Sequence, residues 1–262
     1  MNNTSKQKIF LITFLSVVFF SLTSCEQKET LKKANDLNIS EGFKNPLGFY
    51  DATPTFSWKL PISENNKSQS AYQIVVASSK DLLPNNPDLW NSKKQESNQS
   101  TWVKYNGKAL QSRQKAYWQV KYWNQDKEAS EWSEINHFEL GLLHNSDWQA
   151  QWIGLDTKKE RILGSQENII HRPQYLRKDF EVSKNVASAR LYITAKGVFD
   201  VAINGKDVSD DVMPPGYTPY KKRIETITYD VSDLIIAGKN AIGVEVAAGW
   251  HSGRLGWMKS FW

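Results

Sequence analysis

The residues of this chain that could do chemistry gather near its C-terminal end. Gly249-Trp250-His251-Ser252-Gly253-Arg254-Leu255-Gly256-Trp257 holds two indoles, one guanidinium and three glycines within nine residues. Such a composition reads as a loop that presents side chains. Indole faces stack on C–H surfaces such as those of sugar rings, and a guanidinium donates in a planar fork to hydroxyl or carboxylate oxygens. Trp250, Arg254 and Trp257 are therefore candidate carbohydrate contacts. Packing against a neighbouring domain is the plainer reading of the same three side chains.

The acids are the next candidates. Asp207, Asp210 and Asp211 cluster after one turn, and Asp230 and Asp233 cluster before another. Hydrolytic chemistry needs two carboxylates facing each other across a cleft, one with a raised pKa. Acids in polar loops meet neither condition, so solvated or capping roles are expected, with Asp233 capping a short helical turn. His137, His144, His171 and His251 lack the i, i+4 spacing of a helical metal site. No glycine-rich loop joins a strand to a helix. Neither a cofactor nor a metal is expected.

Cys25 is the sole cysteine of the 262 residues, which excludes an internal disulfide and a thiol zinc site. Lys6 and Lys8 precede an apolar run from Ile9 to Phe20, interrupted at Thr13 and Ser16. That run is shorter than the ~20 residues a spanning helix needs and fits a signal peptide. Leu22-Thr23-Ser24-Cys25 follows and resembles the lipobox of bacterial lipoproteins. The resemblance implies cleavage after residue 24 and acylation of the Cys25 thiol. It also implies a lipid anchor in the bacterial envelope, facing the periplasm or the outside. Each buried CH₂ of an acyl chain contributes ~0.8 kcal/mol, and stable anchoring needs more than one chain. Residues 25–39 are expected to form a polar tether.

The formal charge is +5; removing Lys6 and Lys8 with the signal leaves 31 basic against 28 acidic residues. The longest basic run is Lys221-Lys222-Arg223, which reads as a solvated face, so nucleic acid is not an expected partner. Apolar residues make up 40% of the chain, enough for real cores.

The elements that must position these residues are short strands. Over residues 40–142, Phe56 and Trp58 share one face of Thr55–Leu60, and Tyr72, Ile74 and Val76 share one face of Ala71–Ala77. Trp118, Val120 and Tyr122 point inward from Ala116–Trp123, with Gln119 and Lys121 outward, and His137–Leu140 closes the set. Pro61, Pro84, Pro87 and Asn106-Gly107 punctuate them. The pattern predicts an immunoglobulin-like or fibronectin type III sandwich. Trp58 and Trp118 belong to its core, whereas Trp90, Trp102 and Trp132 flank turns. A second β-domain is expected over 143–262. It has strands at Tyr175–Phe180, Ala189–Ala195, Val198–Ile203, Thr226–Val231 and Ala241–Ala247, and a type I′ hairpin turn at Asn204-Gly205.

An ordered string of motifs runs through both domains. It includes Ala71-Tyr72-Gln73-Ile74-Val75-Val76, Asp88-Leu89-Trp90, Tyr117-Trp118-Gln119-Val120, Trp152-Ile153-Gly154 and Ile203-Asn204-Gly205. It continues with Pro215-Gly216-Tyr217-Thr218, Tyr220, Arg223, Tyr229-Asp230-Val231 and Gly249-Trp250 through Gly256-Trp257. This string resembles the N-terminal part of bacterial α-L-rhamnosidases, glycoside hydrolases of family 78. The resemblance implies an all-β pair, a fibronectin III-like sandwich followed by a jelly roll, ahead of an (α/α)₆ barrel. That barrel carries the catalytic carboxylates and hydrolyses terminal α-L-rhamnose with inversion, which sets a general acid and base ~6.5–9.5 Å apart. The sequence stops five residues after Trp257. On this reading the jelly roll is incomplete, no catalytic residue falls on this chain, and the chain alone is inactive. Rhamnose-containing glycans, of plant pectin or algal ulvan type, are the implied partners. The alternative is a standalone lipid-anchored carbohydrate-binding protein.

Overall fold

The computed structural model describes residues 30–155 and 173–252. Its first domain is built from β1 (Asn35–Ile39), β2 (Leu47–Phe49), β3 (Thr55–Lys59), β4 (Gln69–Ala77), β5 (Trp90–Asn91), β6 (Gln95–Glu96), β7 (Val103–Lys104), β8 (Lys115–Asn124) and β9 (Asn136–Leu140). One sheet has the order β1-β3-β7. The other runs β2-β9-β8-β4-β5, with β6 also on β4. β2 joins β9 in parallel and the remaining pairs are antiparallel. Between the sheets Phe56, Trp58, Ile74, Val76, Trp118, Val120, Tyr122 and Phe138 are buried, as their alternation predicts.

Three expectations need correction here. The tether does not reach residue 39: Leu31, Ala34, Leu37 and Ile39 are buried in the first core, and β1 already begins at Asn35. Lys32 contributes its carbonyl to the Tyr122 hydroxyl at 2.8 Å, which fixes this stretch to the core. Gln119 does not face solvent. The Ser130–Ser133 segment closes on β8 past the end of β9, and the Gln119 amide donates to the Ser133 carbonyl at 2.6 Å. Trp90 does not merely flank a turn. It stacks on Phe56 at 5.9 Å and meets Tyr105 edge-on at 5.4 Å.

The second domain comprises β10 (Gln174–Val182), β11 (Arg190–Ile193), β12 (Val198–Ile203), β13 (Lys206–Asp207), β14 (Ile227–Asp230) and β15 (Gly238–Ala247). The order β10-β15-β12-β13 forms one sheet, and β11 pairs with β14 in a second. Phe199, Val201, Ile203, Tyr229 and Val231 make the core, with Leu191, Ile193, Ile242, Val244 and Val246 packed against it. Asn204 at φ 54° and Gly205 at φ 77° form the expected turn between β12 and β13. The chain is thus an all-β protein with an immunoglobulin-like domain followed by a second β-sandwich.

The two domains meet along a built junction. Arg190 of β11 grips Glu139 of β9 with two bonds, Nε to Oε1 at 2.7 Å and Nη2 to Oε2 at 2.9 Å. Both side chains are largely buried, at 15% and 8% exposure. Gly48, at φ +73°, has no room for a Cβ beside Thr228 of β14, so the β2 backbone lies directly on the second domain. Arg113 lies over the Tyr192 ring at 5.7 Å and donates to the Asp147 carbonyl at 2.9 Å.

Candidate carbohydrate-contact and docking surface

The motif-rich end of the second domain is positioned by a backbone crossing. β15 leaves its sheet at Ala247 and turns into a single helical turn, Gly249–Ser252. Gly197, at φ +137°, sits against the Ala247 carbonyl oxygen where a Cβ would collide. Gly249, at φ +49°, would place a Cβ 2.8 Å from Val198 Cγ1 and 2.9 Å from the Val198 nitrogen. Glycine at both positions lets β15 exit across the start of β12.

The crossing carries Trp250 and His251 towards the loop that follows β13. That loop is tied to β12 by the Phe199 N–H, which donates to the Pro214 carbonyl at 2.9 Å. The Thr218 hydroxyl, buried, donates to the Arg223 carbonyl at 3.0 Å. On this frame the rings form a ladder. Tyr217 meets Tyr220 edge-on at 6.0 Å and Tyr220 meets His251 edge-on at 5.1 Å. Burial, and secondarily Tyr217, pushes the Tyr220 phenol above its ordinary range. Tyr217 is 68% exposed, and Met213 and Val212, earlier in the same loop, are exposed as well. The surface is aromatic at its centre and polar at its hydroxyls, a combination suited to stacking on a sugar or on another protein.

Of the residues singled out from sequence, Trp250 is half-buried in this turn. Arg254, Trp257 and Cys25 lie outside the described residues. The structure adds Tyr217, Tyr220 and His251, which residue type alone did not bring together. The available signal was the Tyr-x-x-Tyr spacing around Pro219, in a run rich in turn residues.

Two of the five acids, Asp211 and Asp230, take structural roles. Asp211 accepts from the Tyr229 hydroxyl at 2.7 Å, and burial together with Asp211 pushes that phenol up to about 12. The turn at Ser232–Leu234 is not capped by Asp233. Asp230 does that work, accepting from the Ser232 N–H at 3.0 Å and Ser232 Oγ at 2.5 Å. Asp230 also pairs with Arg190 Nη1 at 2.8 Å. Burial pushes its carboxyl up, but Ser232 and Arg190 outweigh burial and hold it below the usual range. Arg190, Asp230 and Ser232 line a polar cleft of about 550 Å³ at the domain junction, with Arg113, Tyr117 and Glu139.

Several indoles are taken by lysines. Lys121 lies 5.2 Å from the Trp123 ring and 4.8 Å from that of Trp132, and Lys196 lies 5.1 Å from that of Trp152. The expected core pair is as read: Trp118 is fully buried, and Trp58 donates to Gln69 Oε1 at 3.0 Å.

Fold and site together define a tandem β-sandwich unit with an aromatic loop surface and a locked junction. Comparison with known proteins narrows this. Residues 35–144 match the Rha78A-like, N-terminal immunoglobulin domain, and residues 184–261 match the alpha-L-rhamnosidase N-terminal domain. An alpha-L-rhamnosidase of Formosa agariphila is 74% identical over 257 residues, covering 98% of this chain and 28% of the relative. One of Alteromonas sp. is 48% identical, covering 96% of this chain and again 28% of the relative. The solved alpha-L-rhamnosidase from Dictyoglumus thermophilum superposes with a TM-score of 0.74 at 35% identity, over 86% of this chain and 26% of that one. The chain is similar to the N-terminal part of these α-L-rhamnosidases, and it spans about 28% of the length of the curated relatives it matches.

Proposed function

We propose that this chain supplies the non-catalytic β-domains of an α-L-rhamnosidase that acts on rhamnose-containing glycans of plant pectin or algal ulvan type. The observation that carries the reading is the ordered pair of N-terminal-domain matches, immunoglobulin-like then rhamnosidase-specific, on one continuously related chain. The carboxylate chemistry supports a non-catalytic role. Among the described residues, each carboxylate with a resolved shift lies below its usual range: Asp36, Asp88, Asp147 and Asp230. A glycosidase general acid needs the opposite. The loop surface of Tyr217, Tyr220, His251 and Trp250 then serves as a contact to glycan or to a neighbouring domain.

A chimera tests this reading. The 257 matched residues of the Formosa agariphila enzyme are replaced by those of this chain, and hydrolysis of an aryl α-L-rhamnoside is followed. The chimera is expected to retain the parent's activity; a folded but inactive chimera overturns the reading.

The same proposal places the protein in the bacterial envelope, held by acyl groups on Cys25. The basic Lys6 and Lys8, the apolar run and Leu22-Thr23-Ser24-Cys25 support it. Because the first core residue is Leu31, five residues separate the anchor from the fold, and the six steps from Cys25 to Leu31 span at most about 22 Å. The domain then rides close to the bilayer. Metabolic labelling with an alkynyl fatty acid is expected to mark the wild type and not Cys25→Ala; a labelled Cys25→Ala protein removes the anchor assignment.

A further inference from the structure

The outer face of the β10-β15-β12-β13 sheet carries a hollow of about 330 Å³, separate from the loop surface and the junction cleft. Its shape follows from register. Tyr175, Glu245 and Asp200 are direct cross-strand partners, so they form one row across β10, β15 and β12. Two residues along, on the same face, the next row is Arg177, Gly243 and Ala202. Glycine and alanine raise almost nothing above the sheet, so this second row is a dip beside a row of tall polar side chains.

Gly243 lies inside the ten-residue strand β15, where glycine weakens a strand and often marks close approach by a ligand or another backbone. Its φ is not in the left-handed region, and a Cβ there would meet nothing within 4 Å. Neither backbone conformation nor crowding within the protein explains the missing side chain. What the glycine provides is open floor.

The rim has a definite chemistry. The Tyr175 hydroxyl donates to Glu245 Oε1 at 3.1 Å, and Tyr175 is 75% exposed. Arg177 Nη2 pairs with Asp179 at 2.9 Å, which takes up its charge. Asp200 and Glu245 leave the hollow acidic. Ionised carboxylates only accept hydrogen bonds, with about four lone-pair sites each, so the ligand must bring donors and no negative charge. The volume sits at the low end of the ~300–1,000 Å³ usual for small-molecule sites.

We propose that this hollow binds a neutral pyranose unit of a glycan. Vicinal hydroxyls donate to Asp200 and Glu245, an oxygen of the sugar accepts from Arg177, and the Tyr175 ring covers a C–H face over the Gly243–Ala202 floor. Uronic acids and sulfated sugars are repelled by the paired carboxylates. The use of a rhamnoside as probe rests on the proposed rhamnosidase reading; the hollow and its preference for neutral sugars do not, so methyl α-D-glucopyranoside is run beside methyl α-L-rhamnopyranoside.

Titration of the ¹⁵N-labelled chain is expected to shift the amides of Tyr175, Ala202, Gly243 and Glu245 with at least one neutral sugar and to leave them still with galacturonic acid. Gly243→Val fills the floor with a strand-favouring residue and is expected to weaken binding at least tenfold with unchanged thermal unfolding. Should that variant fail to fold, the exposed Tyr175→Ala reads the same tenfold loss. The inference falls if neutral sugars leave these amides unmoved, if galacturonic acid binds as tightly, or if a folded variant binds within twofold of wild type. Activity of the chimera described above is untouched by any of these outcomes, so the rhamnosidase reading and the hollow fail separately.

Discussion

Replacing Arg190 with alanine removes the ion pair at the junction of the two domains. Three bonds to carboxylates disappear: two to Glu139, at 2.7 and 2.9 Å, and one to Asp230 at 2.8 Å. Glu139 is only 8% exposed and is left as a buried charge without its partner. Breaking one side of such a pair costs ~3–5 kcal/mol. Two features set the expectation at the lower end. Asp230 is 52% exposed and regains water, and Lys115 lines the same cleft and partly compensates Glu139. A loss of about 3 kcal/mol corresponds to a melting point about 6–12 °C lower, at ~2–4 °C per kcal/mol for a unit of this size. The assay is urea unfolding of wild type, Arg190→Ala, Glu139→Leu and the double variant Arg190→Met/Glu139→Leu. The double variant leaves no buried charge and is expected within ~1 kcal/mol of wild type, because apolar replacement of a buried pair is often neutral. An Arg190→Ala change within ~0.5 kcal/mol of wild type would refute the reasoning, as would a double variant as unstable as the two single losses summed.

Other consequences are as specific. Gly197→Ala adds a Cβ against the Ala247 carbonyl at φ +137° and is expected to cost about 3 kcal/mol or more. Gly205→Ala, with φ +77° and open space around it, should cost only about 1 kcal/mol; equal losses in thermal melts would contradict the crossing. Trp118→Ala, at a fully buried position, should cost ~3–5 kcal/mol. Trp118→Phe should cost under about 2 kcal/mol, since the indole N–H it removes is buried without a partner. Asp36 is held at about 2 by hydrogen bonds from Lys44 and Lys59. A depressed folded pKa contributes stability above the ordinary value near ~3.9 that is lost as pH falls towards the folded value. Acid titration of wild type should therefore show this loss between those limits, less steeply at high salt, and Asp36→Asn should lack it.

Much of the fold is legible in the sequence because period-2 alternation survives wherever one face is buried. Phe56 with Trp58, and Trp118 with Val120 and Tyr122, announce their strands, and Asn204-Gly205 announces its turn by demanding positive φ. β1 escaped because Asn35-Asp36-Leu37-Asn38-Ile39 offers only two apolar residues, while Leu31 and Ala34 stand among charges. Their burial depends on a partner, Trp58's sheet neighbourhood, that is distant in sequence. Gln119 read as outward since its polarity fits a solvated face; a later segment covers it. The site was harder still. Trp250 is visible as a residue type, but its neighbours Tyr217 and Tyr220 arrive from a different loop. Asp230 outcompetes Asp233 as the turn's acceptor only because its side chain reaches back to Ser232 while also facing Arg190. The hollow on the outer sheet is invisible without register, for nothing in the sequence aligns Gly243 with Arg177 and Ala202.

In the proposed function these β-domains bind and position while hydrolysis belongs to another part of the enzyme. The most direct measurement is turnover of an aryl α-L-rhamnoside by the purified 262-residue chain, followed by release of the aryl alcohol against a heat-inactivated control. No release above that control is predicted across pH 4–8. Steady turnover that survives repurification would contradict the claim and would require a carboxylate pair within the chain itself.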